Sequence, residues 1–175
     1  MNQAIAVQAG SSRLLSQSTA RLIALLLPAA LLAGAFGSEY FGGLVPCEMC
    51  WWQREAHMVA VVFAALSFSG PADTSRSRNL VLLATAAIAV SGAIGVYHAG
   101  VEAKIFEGFT QCTATPLTKG ASTAELLKQL THAPLVRCDE VQWRFLGISM
   151  AGWNAICSLS GAALILLLSF KGKRA

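Results

Sequence analysis

The chain has 175 residues, of which 55% are apolar and only 13% charged, with a mean hydropathy of +0.57. Soluble domains carry about a quarter charged residues, so this composition excludes a disordered chain or an ordinary soluble enzyme. The net charge of +4 is the remainder of thirteen basic and nine acidic residues. No basic cluster alternates with aromatics, which leaves nucleic-acid binding without support.

A spanning helix needs ~20 mostly apolar residues, and four windows supply them: about 21–40, 50–69, 80–98 and 148–170. The first surrounds the apolar stretch Leu22–Phe36. It also resembles a secretory signal, with basic residues, Leu22–Leu32 and then Ala33-Gly34-Ala35. The semi-apolar continuation Gly37–Gly43 favours a retained span, and the sidedness is the same with or without it. The second window has a clean apolar run, Met58–Phe68, of only eleven residues. It reaches spanning length by extending back to Cys50, which carries Arg54, Glu55 and His57 into its first turns. Ionisable groups there are costly in lipid and read as functional by default. Gly92 and Gly95 in the third window permit close helix packing.

Lys and Arg in the short flanks set the orientation. Arg13 and Arg21 precede the first span, Arg76 and Arg78 lie between the second and third, and Lys171, Lys173 and Arg174 follow the fourth. Both termini therefore face the cytoplasm. Trp51, Trp52, Trp143 and Trp153 mark the outer ends of spans as an aromatic belt. The expected fold is an all-α integral membrane protein, one domain over 1–175. It is a four-transmembrane-helix bundle with a long outer loop at about 99–147. Within that loop Ser122–Leu130 reads as a short amphipathic helix on the membrane surface, with Ser122 as N-cap and Glu125 at N3. Thr110–Pro116 reads as an extended segment offered to a partner's groove.

Of five cysteines, Cys47, Cys50, Cys112 and Cys138 fall on the outer side, where an oxidising compartment favours disulfides. Cys157 lies deep in the fourth span and reads as inert packing. The spacing Cys47-Glu48-Met49-Cys50 fits a redox pair, half a zinc site or a haem attachment. Haem attachment wants a following His, and Trp51 stands there. Zinc wants a second close pair of ligands, and Cys112 and Cys138 are 26 residues apart; no metal is expected. A redox pair fits best, because Pro46 precedes a helix start whose dipole stabilises a thiolate. Arg54, one turn after Cys50, shares its face.

Pro46-Cys47-Glu48-Met49-Cys50-Trp51-Trp52-Gln53-Arg54 resembles the CxxC-x-x-[QE]-R block of the disulfide bond formation protein B family. Cys138-Asp139-Glu140-Val141-Gln142-Trp143-Arg144-Phe145-Leu146-Gly147, with Met150 and Trp153, resembles that family's block after its last loop cysteine. The resemblance covers about 21–170. It implies an inner-membrane oxidoreductase that re-oxidises a periplasmic thioredoxin-fold oxidant of the DsbA kind and passes two electrons to a membrane quinone, ubiquinone or menaquinone. By the same resemblance Cys112 would receive the partner's thiolate, with Cys138 as its mate. Cys47 would exchange with that pair, Cys50 would face the quinone, and Arg54 and His98 would form the quinone site. The implied resting pairs are Cys47–Cys50 and Cys112–Cys138, with a transient Cys47–Cys112 link. Two other readings are an enzyme similar to vitamin K epoxide reductase, whose CxxC is expected late in the chain, and a non-enzymatic tetraspan, which wants polar groups deep in several spans.

Overall fold

The computed structural model describes residues 2–108, 122, 124 and 136–171. Helix α1, Asn2–Tyr40, carries Pro28 in its interior. Helix α2, Glu48–Ser67, begins directly after Pro46, with Cys47 as its N-cap. Helix α3, Ser75–Glu102, starts earlier than its apolar run because Thr74 caps it, accepting from the Ser77 N–H at 3.2 Å. The last helix, α4, runs Met150–Lys171.

A two-residue antiparallel hairpin, β1 (Arg144–Phe145) against β2 (Ile148–Ser149), precedes α4. It is the one departure from an all-helical chain among the described residues, and it moves the helix start from 148 to Met150. Its turn holds Leu146 at φ 50 and Gly147 at φ 80. Both values belong to the two-residue turn whose twist matches paired strands. Leu146 adopts it against the usual penalty for a side chain in the left-handed region. The expected surface helix at 122–130, the extended segment at 110–116 and Cys112 fall on or within 109–135, of which only Ser122 and Ala124 are described.

Helix α2 packs against α3, α3 against α4, and α1 closes the bundle against α4 and α2. Small residues line these contacts: Ala20, Ala24, Ala60, Ala64, Ala84 and Ala162 are buried around Val81, Ile88 and Ile165. Lipid offers no hydrophobic drive between helices, so close backbone approach carries their association. Gly95 is the tightest such place. A Cβ there would stand 3.0 Å from the Ala151 carbonyl and 3.1 Å from the Ala155 nitrogen.

Three segments, Leu14–Tyr40, Ser75–Glu102 and Met150–Phe170, are long and apolar enough to cross a membrane. Helix α2 has 20 residues, about 30 Å at 1.5 Å each, but carries charges. Its buried positions, Met49, Gln53, Arg54, His57, Ala60, Ala64 and Ser67, recur every three or four residues. The polar groups therefore face the bundle interior rather than lipid, as intramembrane charges do.

The two ends of the bundle differ. At one, Gln17 and Ser16 donate to the Ser169 and Leu168 carbonyls, and Arg21 to that of Gly70. At the other, a second buried cluster unites Cys47, Met49, Val101 and Cys138. There Gln142 ties the hairpin segment to the α1–α2 connection through both directions of hydrogen bond with Val45, 2.7 and 3.1 Å.

Candidate active site

Cys47 stands at the α2 N-terminus, 4% exposed, and its sulfur accepts from the Cys50 N–H at 3.4 Å. The two sulfurs are 3.0 Å apart, as one helical turn allows. Cys138 is fully buried in the same cluster. Its segment is clipped in place by Asp139, whose carboxylate takes a forked pair of bonds from Arg137, 2.9 and 2.8 Å, and another from Lys104 just past α3. Lys104 also donates to the Asp139 carbonyl at 3.0 Å. Arg137 first, then Lys104, hold the Asp139 carboxyl well below the usual carboxylate range. The Cys138 thiol, then that of Cys50, together with burial, push the Cys47 thiol far above its ordinary value.

Arg54, one turn inside, is 5% exposed. It donates through Nη1 to the Glu39 carboxylate and through Nη2 to the Ala35 carbonyl at 3.0 Å. The rings of Phe36 and Trp51 lie 4.8 and 5.1 Å from its guanidinium carbon. Both partners and one ring come from the C-terminal end of α1, so Arg54 straps α1 to α2 and its charge is compensated where it is buried.

His98, on α3, is 3% exposed. Its Nε2 lies 3.6 Å from the Cys47 sulfur and 3.9 Å from a Glu102 oxygen, while its Nδ1 lies 3.0 Å from Gln53 Nε2. A polar chain continues inward from there. Asn154 Nδ2 on α4 donates to Gln53 Oε1 at 2.7 Å, and Asn154 Oδ1 accepts from His57 Nε2 at 2.8 Å. Ser91 and Ser158 complete the chain, through the Gln53 carbonyl at 3.0 Å and Asn154 Oδ1 at 3.0 Å.

A cavity of about 630 Å³ adjoins these groups. Ala30, Leu31, Leu32 and Ala35 of α1 form an apolar wall, and Cys47, Cys50, Arg54, His98 and Glu102 give it a polar end. A dithiol, a buried cation and an imidazole thus share one apolar chamber at the end of a membrane bundle. That arrangement suits electron transfer from thiols to a lipid-soluble acceptor.

Residues 17–168 match the family described as Disulfide bond formation protein DsbB. The chain belongs to the DsbB family. Several curated relatives bear the name Disulfide bond formation protein B. That of Methylococcus capsulatus is 32% identical over 162 residues, covering 91% of this chain and 98% of its own. That of Marinobacter nauticus is 33% identical over 143 residues, covering 75% and 79%. That of Xylella fastidiosa is 31% identical over 150 residues, covering 82% and 84%. No solved structure matches the chain significantly. As a DsbB protein it is a membrane oxidoreductase that generates disulfides, which decides against the vitamin K epoxide reductase-like and non-enzymatic readings.

Of the six residues to which the resemblance gives a role, Cys47, Cys50, Arg54 and His98 line the cavity, and Cys138 packs in the buried cluster with Cys47 beside it. Cys112 lies outside the described residues. Cys157 does not line the cavity. Sequence reasoning gave no role to Gln53, Glu39, Asn154 or Glu102. For Asn154 the signal was available, since a carboxamide inside an apolar span is itself a functional flag. Cys47, His98 and Cys138 place three ligand atoms within 4.8 Å of one another. A structural zinc site wants four. Moreover, the Gln53 amide donates to His98 Nδ1, which leaves the hydrogen on Nε2, so the imidazole turns an N–H to these sulfurs instead of a lone pair.

Proposed function

We propose that this DsbB protein crosses the bacterial inner membrane four times with both termini cytoplasmic and its redox cysteines periplasmic. There it re-oxidises a thioredoxin-fold dithiol of the DsbA kind and hands two electrons to ubiquinone or menaquinone. The cavity carries this reading: a buried thiol pair and an arginine close the polar end of a chamber whose other wall is aliphatic. The orientation follows from the two bundle ends. Arg21, the first turn of α3 with Arg76 and Arg78, and the end of α4 share the end away from the cysteines, and basic flanks stay inside.

A quinone fits the donors present. Its two carbonyls are acceptors, and Arg54 uses only two of its five N–H groups on Glu39 and Ala35. His98 offers its Nε2–H, and Leu31 and Leu32 suit a prenyl tail. When bound, the quinone takes up two electrons and two protons. On the protein side, Cys112 receives the partner's thiolate and Cys138 is released as its mate. Burial of Cys138 against Cys47 supports exchange between the loop pair and the helix-end pair, and supports a Cys47–Cys138 link as the transient more than a Cys47–Cys112 one. Cys50 then faces the chamber, with Arg54 on its side of the helix.

The test is turnover of the detergent-solubilised protein with a reduced thioredoxin-fold dithiol and a short-chain quinone, followed by quinone absorbance. Oxidation that proceeds at the same rate without quinone refutes the reading. Cys112→Ser abolishes oxidation of the protein dithiol and spares quinone reduction driven by dithiothreitol. Equal loss of both refutes the division between the pairs.

A further inference from the structure

The hydrogen-bond accounting around His98 fixes which nitrogen carries its hydrogen. Gln53 Nε2 lies 3.0 Å from the Met49 carbonyl, an acceptor only, so that atom is the amide nitrogen. Asn154 Nδ2 lies 3.2 Å from the Ser91 carbonyl, which fixes the second amide in the same way. Asn154 then feeds Gln53 Oε1 at 2.7 Å, and the second hydrogen of the Gln53 amide points at His98 Nδ1, 3.0 Å away. A nitrogen facing a donor must present its lone pair. His98 therefore carries its hydrogen on Nε2, the atom 3.6 Å from the Cys47 sulfur, in a cluster where a ring nitrogen and the Cys47 and Cys138 sulfurs all lie within 4.8 Å of one another. All three amide and imidazole side chains are held at a helix–helix contact among α2, α3 and α4, and Gln53 and His98 are 6% and 3% exposed.

We propose that the His98 Nε2–H stabilises the negative charge that moves through Cys138 and Cys47 during disulfide exchange, and that Gln53 and Asn154 are positioning residues that keep the hydrogen on that nitrogen. The step is a displacement at sulfur. The Cys138 thiolate attacks Cys47 Sγ of the Cys47–Cys50 disulfide, the Cys138–Cys47 bond forms, the Cys47–Cys50 bond breaks, and the electron pair leaves on Cys50. His98 transfers no proton. It donates one hydrogen bond to that charge. Other acceptors near the ring are Glu102, 3.9 Å from Nε2, and the Cys138 main chain. The sulfur takes the hydrogen when it is charged, because bonds to ionised acceptors are about twice as strong as neutral ones. With the opposite tautomer a lone pair would face the same sulfurs and oppose the charge. This inference deepens the thiol-exchange half of the proposed function; it uses the same Nε2–H that reading offers to the quinone, and the assay below withholds quinone to separate the two.

Two measurements test it. The first is the imidazole nitrogen NMR spectrum of the full chain in micelles, labelled at its three histidines and assigned by His98→Gln. The expected result is a protonated Nε2 and a bare Nδ1 on His98; the reverse overturns the proposal. The second is stopped-flow exchange of the oxidised protein with a reduced thioredoxin-fold dithiol, quinone withheld, so that failure of the quinone reading leaves this assay intact. Gln53→Glu sets an acceptor opposite Nδ1, moves the hydrogen there, and slows exchange about ten- to a hundredfold, the worth of one hydrogen bond to a charged group. Asn154→Leu slows it less, and the double variant is no slower than Gln53→Glu, since both act through one hydrogen. A moved hydrogen with unchanged exchange, an unmoved hydrogen in Gln53→Glu, or additive losses in the double variant each overturn it.

Discussion

Replacing Arg54 with glutamine separates the interhelical contact this guanidinium makes from the quinone contact proposed for it. It binds α1 through Glu39 and the Ala35 carbonyl, and it also lines the chamber. On the ligand side, one hydrogen bond from a charged donor is lost. At about 1.5–3 kcal/mol for such a bond and 1.4 kcal/mol per factor of ten, the apparent quinone affinity falls roughly ten- to a hundredfold. On the fold side the loss is smaller. The Glu39 side chain keeps 26% exposure, so water takes over its carboxylate, and the strap costs about 1–2 kcal/mol when cut. Arg54→Lys restores the charge and one bond but not the planar fork, so its affinity falls between the two. The assay is quinone dependence of dithiol oxidation in detergent, with thermal unfolding recorded on the same samples. If Arg54→Gln lowers the melting temperature but leaves the quinone KM unchanged, the arginine is an interhelical strap and nothing more, and the quinone headgroup sits elsewhere in the chamber.

Three other outcomes follow from the geometry. Gly95→Ala drives a Cβ against α4 main chain at 3.0 and 3.1 Å, for a loss of about 1–3 kcal/mol in detergent unfolding. Gly92→Ala meets the movable end of Leu159 and costs less; the reverse order would show that the α3–α4 contact is wrongly described. Asp139 has its carboxyl depressed by Arg137 and Lys104, so its clip is fully present above the ordinary aspartate value of about 3.9 and is lost as pH falls below it. Labelling of reduced Cys138 by a dithiopyridine reagent should accelerate over that acidic window in the wild type and already at neutral pH in Asp139→Asn. Equal, pH-independent labelling in both would dismiss the clip. Cys157→Ala exchanges one small apolar side chain for another away from the cavity, so turnover should stay unchanged and stability fall by less than about 1 kcal/mol; a defect in thiol exchange would place Cys157 in the chemistry.

The helices were legible because spanning length and apolar content are properties of contiguous sequence. The second helix was legible for a subtler reason. Its apolar run was too short, and the only extension available brought Arg54 and His57 inside, where the fold buries them. The cysteine pair and Arg54 announced themselves by spacing on one helix. The Gln53–Asn154 contact did not, because its partners are 101 residues apart and no local pattern records which faces of α2 and α4 meet. The same holds for Glu39, which reads as an ordinary acid in an outer loop until the end of α1 is seen against Arg54. The hairpin at Arg144–Ser149 was missed because two-residue strands carry no periodicity, although Leu146-Gly147 is a turn signal in retrospect.

The dispersal of the site over the helices has a consequence for the nascent protein. Synthesis delivers the chain from its N-terminus, so Cys47 and Cys50 are inserted with α2 while His98 is still to be made. Asn154, the far end of the chain that sets His98, arrives only with the last helix. Until then the thiol pair has no orienting imidazole and no closed chamber beside it. The finished geometry at Cys47 therefore exists only once α4 has packed, and a truncation that loses α4 leaves the cysteine pair without the Asn154 end of that chain.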